Sequence, residues 1–303
     1  MIITIEGPTG SGKSALALQL AEELSGEIVN CDSRQIYRYL NIGTAKPTKE
    51  ELSLVPHHLI DIINPDQFYN AGLFIRDASA AIDDIKARGK MPIICGGTGL
   101  YVRSLLEGLF SHPPIPSEIR ERLKLRMEKE GREALYKELS EIDPAFAAKV
   151  SSNDPQRILR GLEVYHAGGK TISAHWQDQK KESRYNAYRI LINPPREVLY
   201  ERINKRLLRM VEAGLIEEIS GVLKQGYSWD DPGLSSLGYR EFRPYFEEEE
   251  SLEGCALIAA QHHRNYAKRQ CTWYRKIRFD LTLDTISFRL SDITGEIKPL
   301  IIN

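Results

Sequence analysis

Short apolar runs alternate with helical patterns along the chain, and this alternation predicts the fold class. Residues 2–5 are apolar and end at a glycine-rich turn, after which Leu16, Leu20 and Leu24 recur every four residues, as on one helix face. Four further runs have the length and continuity of buried parallel strands: EIVN (27–30), HLIDII (58–63), MPIIC (91–95) and YRILI (188–192). Strands that alternate with helices indicate an α/β fold with a doubly wound parallel sheet.

The middle of the chain has a different pattern. Residues 117–175 carry helix signals and no convincing strand; Ser117 is expected to cap one helix, and a second over residues 155–167 to stop at Gly168 and Gly169. This predicts a mostly helical insertion at residues 116–179, within an α/β core formed by residues 1–115 and 180–303. In the core, helices are expected over residues 71–88 after an Asn70 cap, 194–214 and 252–278, with FDLTLDT (279–285) as an edge strand.

The segment GPTGSGKS follows the first strand and opens the first helix, which is the context of a phosphate-binding loop. Backbone N–H groups at such a turn bind anionic oxygens, the Lys13 ammonium adds a positive charge, and the Ser14 hydroxyl can hold Mg²⁺. The predicted diphosphate-binding residues are Gly7, Pro8, Thr9, Gly10, Ser11, Gly12, Lys13 and Ser14. The loop indicates a P-loop NTPase-like sheet, but it fits ATP, GTP or any other ligand that ends in a diphosphate.

Two polar residues follow other predicted strands. Asp32 comes just after residues 27–30, and Thr98 lies in CGGTGLY after residues 91–95. Because ligands of such sheets bind beyond the carboxyl ends of the strands, both side chains are expected to face the phosphate loop. Asp32 has the chemistry of a general base or of a water-mediated Mg²⁺ ligand, and the alternative is a turn cap. Thr98 is either a ligand contact or a plain helix cap.

Cations and aromatic residues alternate in QHHRNYAKRQCTWYRKIR (261–278). At helical spacing Arg264, Lys268 and Arg275 share a face. Cations pair with phosphates and aromatic rings stack on unpaired bases, so the segment slightly favours RNA binding over a helix with solvated charges. Arg206 lies on the preceding helix, where it would neutralise a phosphoryl group or remain solvated.

The composition of the chain limits the kinds of partner and metal site that are expected. The net charge of −1 means that a nucleic-acid site must come from local clustering of Lys and Arg. The four cysteines form no CxxC pair and the His57–His58 and His262–His263 pairs lack zinc-ligand spacing, which favours a reducing cytoplasm and no zinc site. No apolar run approaches the roughly 20 residues of a membrane span, so no membrane partner is expected.

Seven motifs occur in one chain in this order: GPTGSGKS, NCDSRQIYRYLNIGTAKP, PHHLID, GGTGLY, NDPQRILRGLEVY, SSLGYRE and AKRQCTWYRK. The series resembles the bacterial tRNA dimethylallyltransferases, or isopentenyl-tRNA transferases, from Ile3 to about Arg278. The resemblance implies that the loop binds dimethylallyl diphosphate, and that the prenyl group moves to N6 of the adenosine immediately 3′ of the anticodon. Diphosphate is released, and the adenosine is flipped into a channel through the protein.

By this resemblance the catalytic residues are Asp32, Thr98, Lys13 and Arg206. Asp32 matches the general base that reads the adenine, and Thr98 matches the residue that hydrogen-bonds the bridging oxygen of the leaving group. The implied cofactor is Mg²⁺ on Ser14, with Asp32 as a ligand through water left open. The sequence does not show whether Asp32 is the general base, a ligand of Mg²⁺ through water, or both.

The resemblance also implies contacts to the tRNA anticodon stem-loop, with the helical insertion clamping the stem, and a monomeric enzyme. Arg120 or Arg122 is the expected contact in the first helix of the insertion. The implied tRNA-binding residues are Ser33, Arg34, Gln35, Ile36, Arg120, Gln156, Arg157, Ile158, Leu159, Arg160, Gly238, Tyr239, Arg240, Lys268, Arg269, Gln270, Trp273 and Arg275.

Three alternatives share parts of this pattern. An adenylate isopentenyltransferase that acts on free AMP, ADP or ATP would use the same loop, Asp32 and Thr98. A nucleotide kinase would need the loop but not the basic aromatic segment. An RNA-binding protein with a vestigial loop is disfavoured by the intact Gly12, Lys13 and Ser14.

Overall fold

The computed structural model describes residues 1–110, 112–178, 183–284 and 289–302. Its strands form a single parallel sheet: β1 (Ile2–Glu6), β2 (Gly26–Asn30), β3 (His57–His58), β4 (Met91–Gly96), β5 (Ala187–Ile192) and β6 (Leu281–Leu283). Their order across the sheet is β3-β2-β4-β1-β5-β6. The predicted α/β class and parallel sheet are confirmed, and β1 lies inside the sheet between β4 and β5.

Helices occupy most of the remaining described residues. In the α/β part they are α1 (Lys13–Glu23), α2 (Lys49–Leu54), α3 (Ala71–Ala87), α4 (Gly99–Glu107), α10 (Arg196–Glu212), α11 (Leu215–Lys224), α12 (Arg243–Phe246), α13 (Leu252–Tyr274) and α14 (Leu290–Ile302). Between β4 and β5 lie α5 (Ser117–Glu130), α6 (Arg132–Ile142), α7 (Pro144–Ala147), α8 (Pro155–Gly168) and α9 (Ile172–Asp178).

Both faces of the sheet are buried. Ile3 and Ile5 of β1 pack with Leu16 of α1 on one face, whereas Ile2 packs with Phe74 of α3 on the other. Burying each such side chain contributes about 1.5–3 kcal/mol. Because both faces are covered, the strands have the continuous apolar runs from which they were predicted.

The chain divides into two compact units. Residues 1–107 and 183–303 form the α/β unit, and residues 108–182 form a helical unit, whereas the insertion was predicted over residues 116–179. Residues 179–182 lie outside the described residues. The helical unit has its own core, in which Leu139 and Phe146 lie against Gly161 of α8. A Cβ at Gly161 would approach the Leu139 side chain to 2.5 Å, so the helices pack closely there.

Several helix limits agree with the sequence. Asn70 caps α3 by accepting hydrogen bonds from the amides of Gly72 and Leu73, and α8 ends at Gly168 with Gly169 in the left-handed conformation. Ser117 was predicted to cap α5, but it is the first helical residue and Pro116 holds the cap position.

The strand predicted over residues 58–63 is wrong beyond His58. Leu59 and Asp61 have φ values of 61° and 56°, which are incompatible with a regular strand. The segment instead turns, and the amides of Ile62 and Ile63 donate to the Ile36 carbonyl.

The C-terminal part also differs from the prediction. The long helix ends at Tyr274, four residues before the expected Arg278. Of the edge strand predicted over residues 279–285, residues 281–283 form a strand paired with β5, and residue 285 lies outside the described residues. The sequence did not indicate α14, whose Ile293 and Ile297 pack into the core beside α1.

Candidate active site

The phosphate-binding loop connects β1 to α1 in a tight turn. Gly10 and Gly12 have φ values of 83° and 92°, a conformation that favours glycine. Gly7 lies so close to β5 that a Cβ would approach the Ile192 carbonyl oxygen to 2.5 Å. The turn therefore brings backbone N–H groups to the N-terminus of α1, where an anion binds well.

Two cations adjoin this loop. Lys13 lies in the first turn of α1, and the Arg206 guanidinium on α10 donates to the Thr9 hydroxyl over 2.6 Å. Burial lowers the pKa of Lys13 and of Arg206, and the Asp32 carboxylate opposes both shifts. The three charged groups predicted to be catalytic are thus brought within electrostatic range of one another.

A cavity of about 560 Å³ opens between the loop and α10. Its lining contains five cationic side chains and one carboxylate: Gly10, Gly12, Lys13, Ser14, Val198, Glu201, Arg202, Lys205, Arg206 and Arg209. The carboxylate of Glu201 pairs with Lys205. The remaining positive charge suits a multiply charged anion such as a diphosphate.

Asp32 and Thr98 lie on loops that are tied together. The Thr98 hydroxyl accepts a hydrogen bond from the Ser33 amide over 3.1 Å, and the Thr98 amide donates to the Cys31 carbonyl. Asp32 Oδ1 accepts from the Arg34 amide over 2.8 Å, so this oxygen caps the turn. Within the described part of the chain its Oδ2 makes no hydrogen bond, so one carboxylate oxygen is available to a ligand.

Gln270 of α13 joins two loops of the site. Its Oε1 accepts from the Thr9 amide and its Nε2 donates to the Gly97 carbonyl, each over 2.8 Å. The side chain is 6% exposed, so the predicted contact of Gln270 with tRNA does not fit its position. On the same inner face, Trp273 packs over Gly99, where a Cβ would meet the indole Nε1 at 2.1 Å.

The other predicted tRNA contacts fall into three groups. Exposed side chains are Arg34, Arg120, Gln156, Arg157, Arg240, Lys268, Arg269 and Arg275, and partly exposed ones are Ser33, Gln35, Leu159, Arg160 and Trp273. Gly238 is buried. Ile36, Ile158 and Tyr239 are at most 1% exposed. The side chains of these three pack in hydrophobic cores, so only their backbone groups could reach RNA, and their contact with tRNA stays a prediction.

Glu218 on α11 was not identified from the sequence. Its carboxylate accepts hydrogen bonds from the amides of Asn41, Ile42 and Gly43 and from the Tyr239 hydroxyl over 2.7 Å. It therefore joins the NIGTAKP segment to the SSLGYRE segment. Glu218 belongs to neither motif, and no local signal distinguishes it from a solvated helix carboxylate.

One side chain at the loop fits Mg²⁺. Ser14 is exposed in the cavity beside Lys13, and its hydroxyl is a hard oxygen ligand of the kind that Mg²⁺ prefers. Among the described residues no group of three or more His, Cys, Asp or Glu side chains could hold a metal ion. A metal here would therefore depend on ligand phosphates and water, as Mg²⁺ sites commonly do.

None of the described helices is long and apolar enough to cross a membrane.

Comparison with known proteins gives consistent matches over nearly the whole chain. The tRNA dimethylallyltransferase of Roseiflexus castenholzii is 45% identical, covering 93% of this chain and 92% of that protein. The enzyme of the same name from Thermotoga petrophila is 38% identical over 99% and 98%.

Solved structures agree. The tRNA delta(2)-isopentenylpyrophosphate transferase of Staphylococcus epidermidis superposes with a TM-score of 0.72 at 36% identity, covering 99% of both chains. A eukaryotic dimethylallyltransferase acting on tRNA gives 0.83 at 29% identity, covering 98% of this chain and 77% of that one. Residues 1–61 match the isopentenyl transferase family model. Residues 35–277 match the IPP transferase family model, and the chain belongs to that family.

Proposed function

We propose that this chain is a tRNA dimethylallyltransferase. It transfers the dimethylallyl group of dimethylallyl diphosphate to N6 of the adenosine immediately 3′ of the anticodon, and it releases diphosphate. The observation that carries the proposal is the cavity at the phosphate-binding loop, which Lys13, Ser14 and Arg206 line and where the Arg206 guanidinium donates to Thr9 of the loop. Family membership is consistent with this arrangement.

The leaving group would occupy the cavity at the loop. Breaking the allylic C–O bond develops negative charge on the diphosphate, and donors fixed around that charge lower the barrier. Lys13, Arg206 and the loop amides are those donors, while the Thr98 hydroxyl is assigned to the bridging oxygen. Ser14, with Asp32 as a candidate through water, would hold Mg²⁺, which supplies further charge neutralisation to the diphosphate.

Asp32 would act on the nucleophile. The N6 amine is weakly nucleophilic because its lone pair is conjugated with the adenine ring. A carboxylate oxygen that accepts an N6 hydrogen bond orients the amine and takes its proton as the N–C bond forms. The free Oδ2 has this capacity, while Oδ1 holds the turn through the Arg34 amide.

The exposed cations are assigned to the tRNA. Lys268 and Arg269 are exposed on α13, and Arg275 is exposed at its C-cap. Arg120 and Arg157 are exposed in the helical unit. Such side chains contact phosphates and so position an anticodon stem-loop without selecting its sequence. We further propose that the helical unit clamps the stem, that the enzyme works as a monomer, and that it acts in the cytoplasm, where tRNA is found.

A transfer assay tests the function. The enzyme is given labelled dimethylallyl diphosphate with, in parallel, tRNA, an anticodon stem-loop, AMP or ATP. Label is expected on tRNA and the stem-loop only. A stem-loop with guanosine in place of the target adenosine is the matched control and should stay unlabelled. Label on AMP but not on RNA would show an adenylate isopentenyltransferase, and ATP hydrolysis without transfer would show a kinase-like enzyme.

A further inference from the structure

Gln270 occupies a position that RNA recognition does not explain. It projects inward from α13, whereas its neighbours Lys268 and Arg269 are exposed. Its amide group joins the Thr9 amide in the phosphate-binding loop to the Gly97 carbonyl in the loop that carries Thr98. We infer that Gln270 is a positioning residue that fixes these two loops relative to each other for departure of the diphosphate. This inference rests on the proposed function.

The contacts require a side chain that both accepts and donates. A glutamine amide offers a carbonyl oxygen and an NH₂ group in one plane, whereas an ionised carboxylate only accepts. The space is restricted as well, because a Cβ at Gly97 would lie 2.6 Å from Gln270 Nε2. The Tyr274 hydroxyl, one turn further along α13, also donates to the Gly97 carbonyl over 3.4 Å.

Thr9 is consequently held from two sides. Gln270 binds its amide, and Arg206 binds its hydroxyl. The Thr9 N–H therefore donates to Gln270 and does not bind the ligand. The other loop amides, which would bind a diphosphate, have a fixed orientation. Since donors must lie at set distances from the charge that develops on a leaving group, a shift of either loop weakens binding and turnover together.

Loss of the Gln270 amide is expected to impair the binding and departure of diphosphate but not the binding of RNA. Loss of both hydrogen bonds in Gln270→Met is expected to weaken inorganic diphosphate binding by about tenfold. The KM for dimethylallyl diphosphate rises by a similar factor and kcat falls. The Kd for the anticodon stem-loop stays within about twofold of wild type, because the exposed face of α13 is unchanged.

The test measures diphosphate binding by calorimetry without RNA, and stem-loop binding separately. Gln270→Glu, which keeps an acceptor for Thr9 but loses the donor to Gly97, provides a second variant if Gln270→Met does not fold. It should also bind diphosphate more weakly. Gln225→Met, an exposed glutamine at the end of α11, is the matched control and should behave as wild type.

Two results would overturn the inference: unchanged diphosphate affinity in the folded Gln270 variants, or an equal loss of stem-loop affinity, which would restore Gln270 as an RNA contact. Diphosphate binding is measured without RNA and without turnover. A wild-type enzyme that fails to modify tRNA would therefore overturn the proposed function and leave this measurement interpretable.

Discussion

The cations at the phosphate-binding loop and those on the outer face of α13 differ in their surroundings. Lys13 and Arg206 are partly exposed where they line the cavity, and partial burial lowers their pKa values, whereas Lys268 and Arg269 are exposed to solvent. A desolvated charge acts strongly on an anion at one fixed position. An exposed charge contributes affinity that salt weakens. We therefore assign the first pair to catalysis and the second to RNA binding.

Removing a partly buried cation at the loop tests this division most severely. Arg206→Met is expected to lower kcat by a factor of about 100–1,000, as loss of a donor to developing negative charge does in other enzymes. The measurement is single-turnover transfer to a stem-loop. Arg196→Met, at the exposed first residue of the same helix, is the control. A loss of stem-loop affinity with a normal kcat would show that Arg206 binds RNA, and it would contradict the assignment of this cation to catalysis.

Asp32→Asn separates the charge of Asp32 from its structural role. The asparagine Oδ1 can still accept from the Arg34 amide, so the turn should persist. Loss of the base is expected to reduce turnover by about 100-fold. Near-normal turnover would remove Asp32 from proton transfer and leave it as a turn cap.

Thr98→Ala is expected to reduce kcat by about tenfold or more, because a hydrogen bond to the bridging oxygen strengthens as charge develops there. Thr98→Ser keeps the hydroxyl and should recover most of the activity. Stem-loop affinity should hardly change in either variant. A pure binding defect would mean that the Thr98 hydroxyl serves only to anchor the Ser33 amide.

The sequence predicted what depends on local pattern. The strand, glycine loop and helix around Lys13 follow from residue spacing and backbone sterics, and the stop of α8 at Gly168 follows from a left-handed cap at Gly169. The carboxyl-edge rule for parallel sheets also predicted that Asp32 and Thr98 would lie near the loop.

Features that depend on distant partners were not predictable. Gln270 contacts Thr9, which is 261 residues away, and Glu218 binds amides about 176 residues away. The apolar content of residues 58–63 suggested a strand, yet positive φ angles at Leu59 and Asp61 redirect the chain. The family resemblance likewise does not reveal which side chains face inward, and it includes Gln270 and Tyr239 among the RNA contacts although both side chains are buried.

The smallest expected effects concern the exposed cations of α13. Lys268→Ala and Arg269→Ala should each weaken stem-loop binding only several-fold. If each contacts one phosphate, the slope of log K against log salt should become shallower by about 0.7–0.9 per residue removed. Arg269 also lies over the Tyr266 ring, 5.7 Å from its centroid, which restricts its guanidinium. Arg269→Ala should therefore lose more stem-loop affinity than Lys268→Ala.

Thr272→Ala on the same helix, exposed and uncharged, should leave the slope unchanged. An unchanged slope in both cation variants would show that this face does not contact phosphate, and the RNA surface would have to be sought elsewhere.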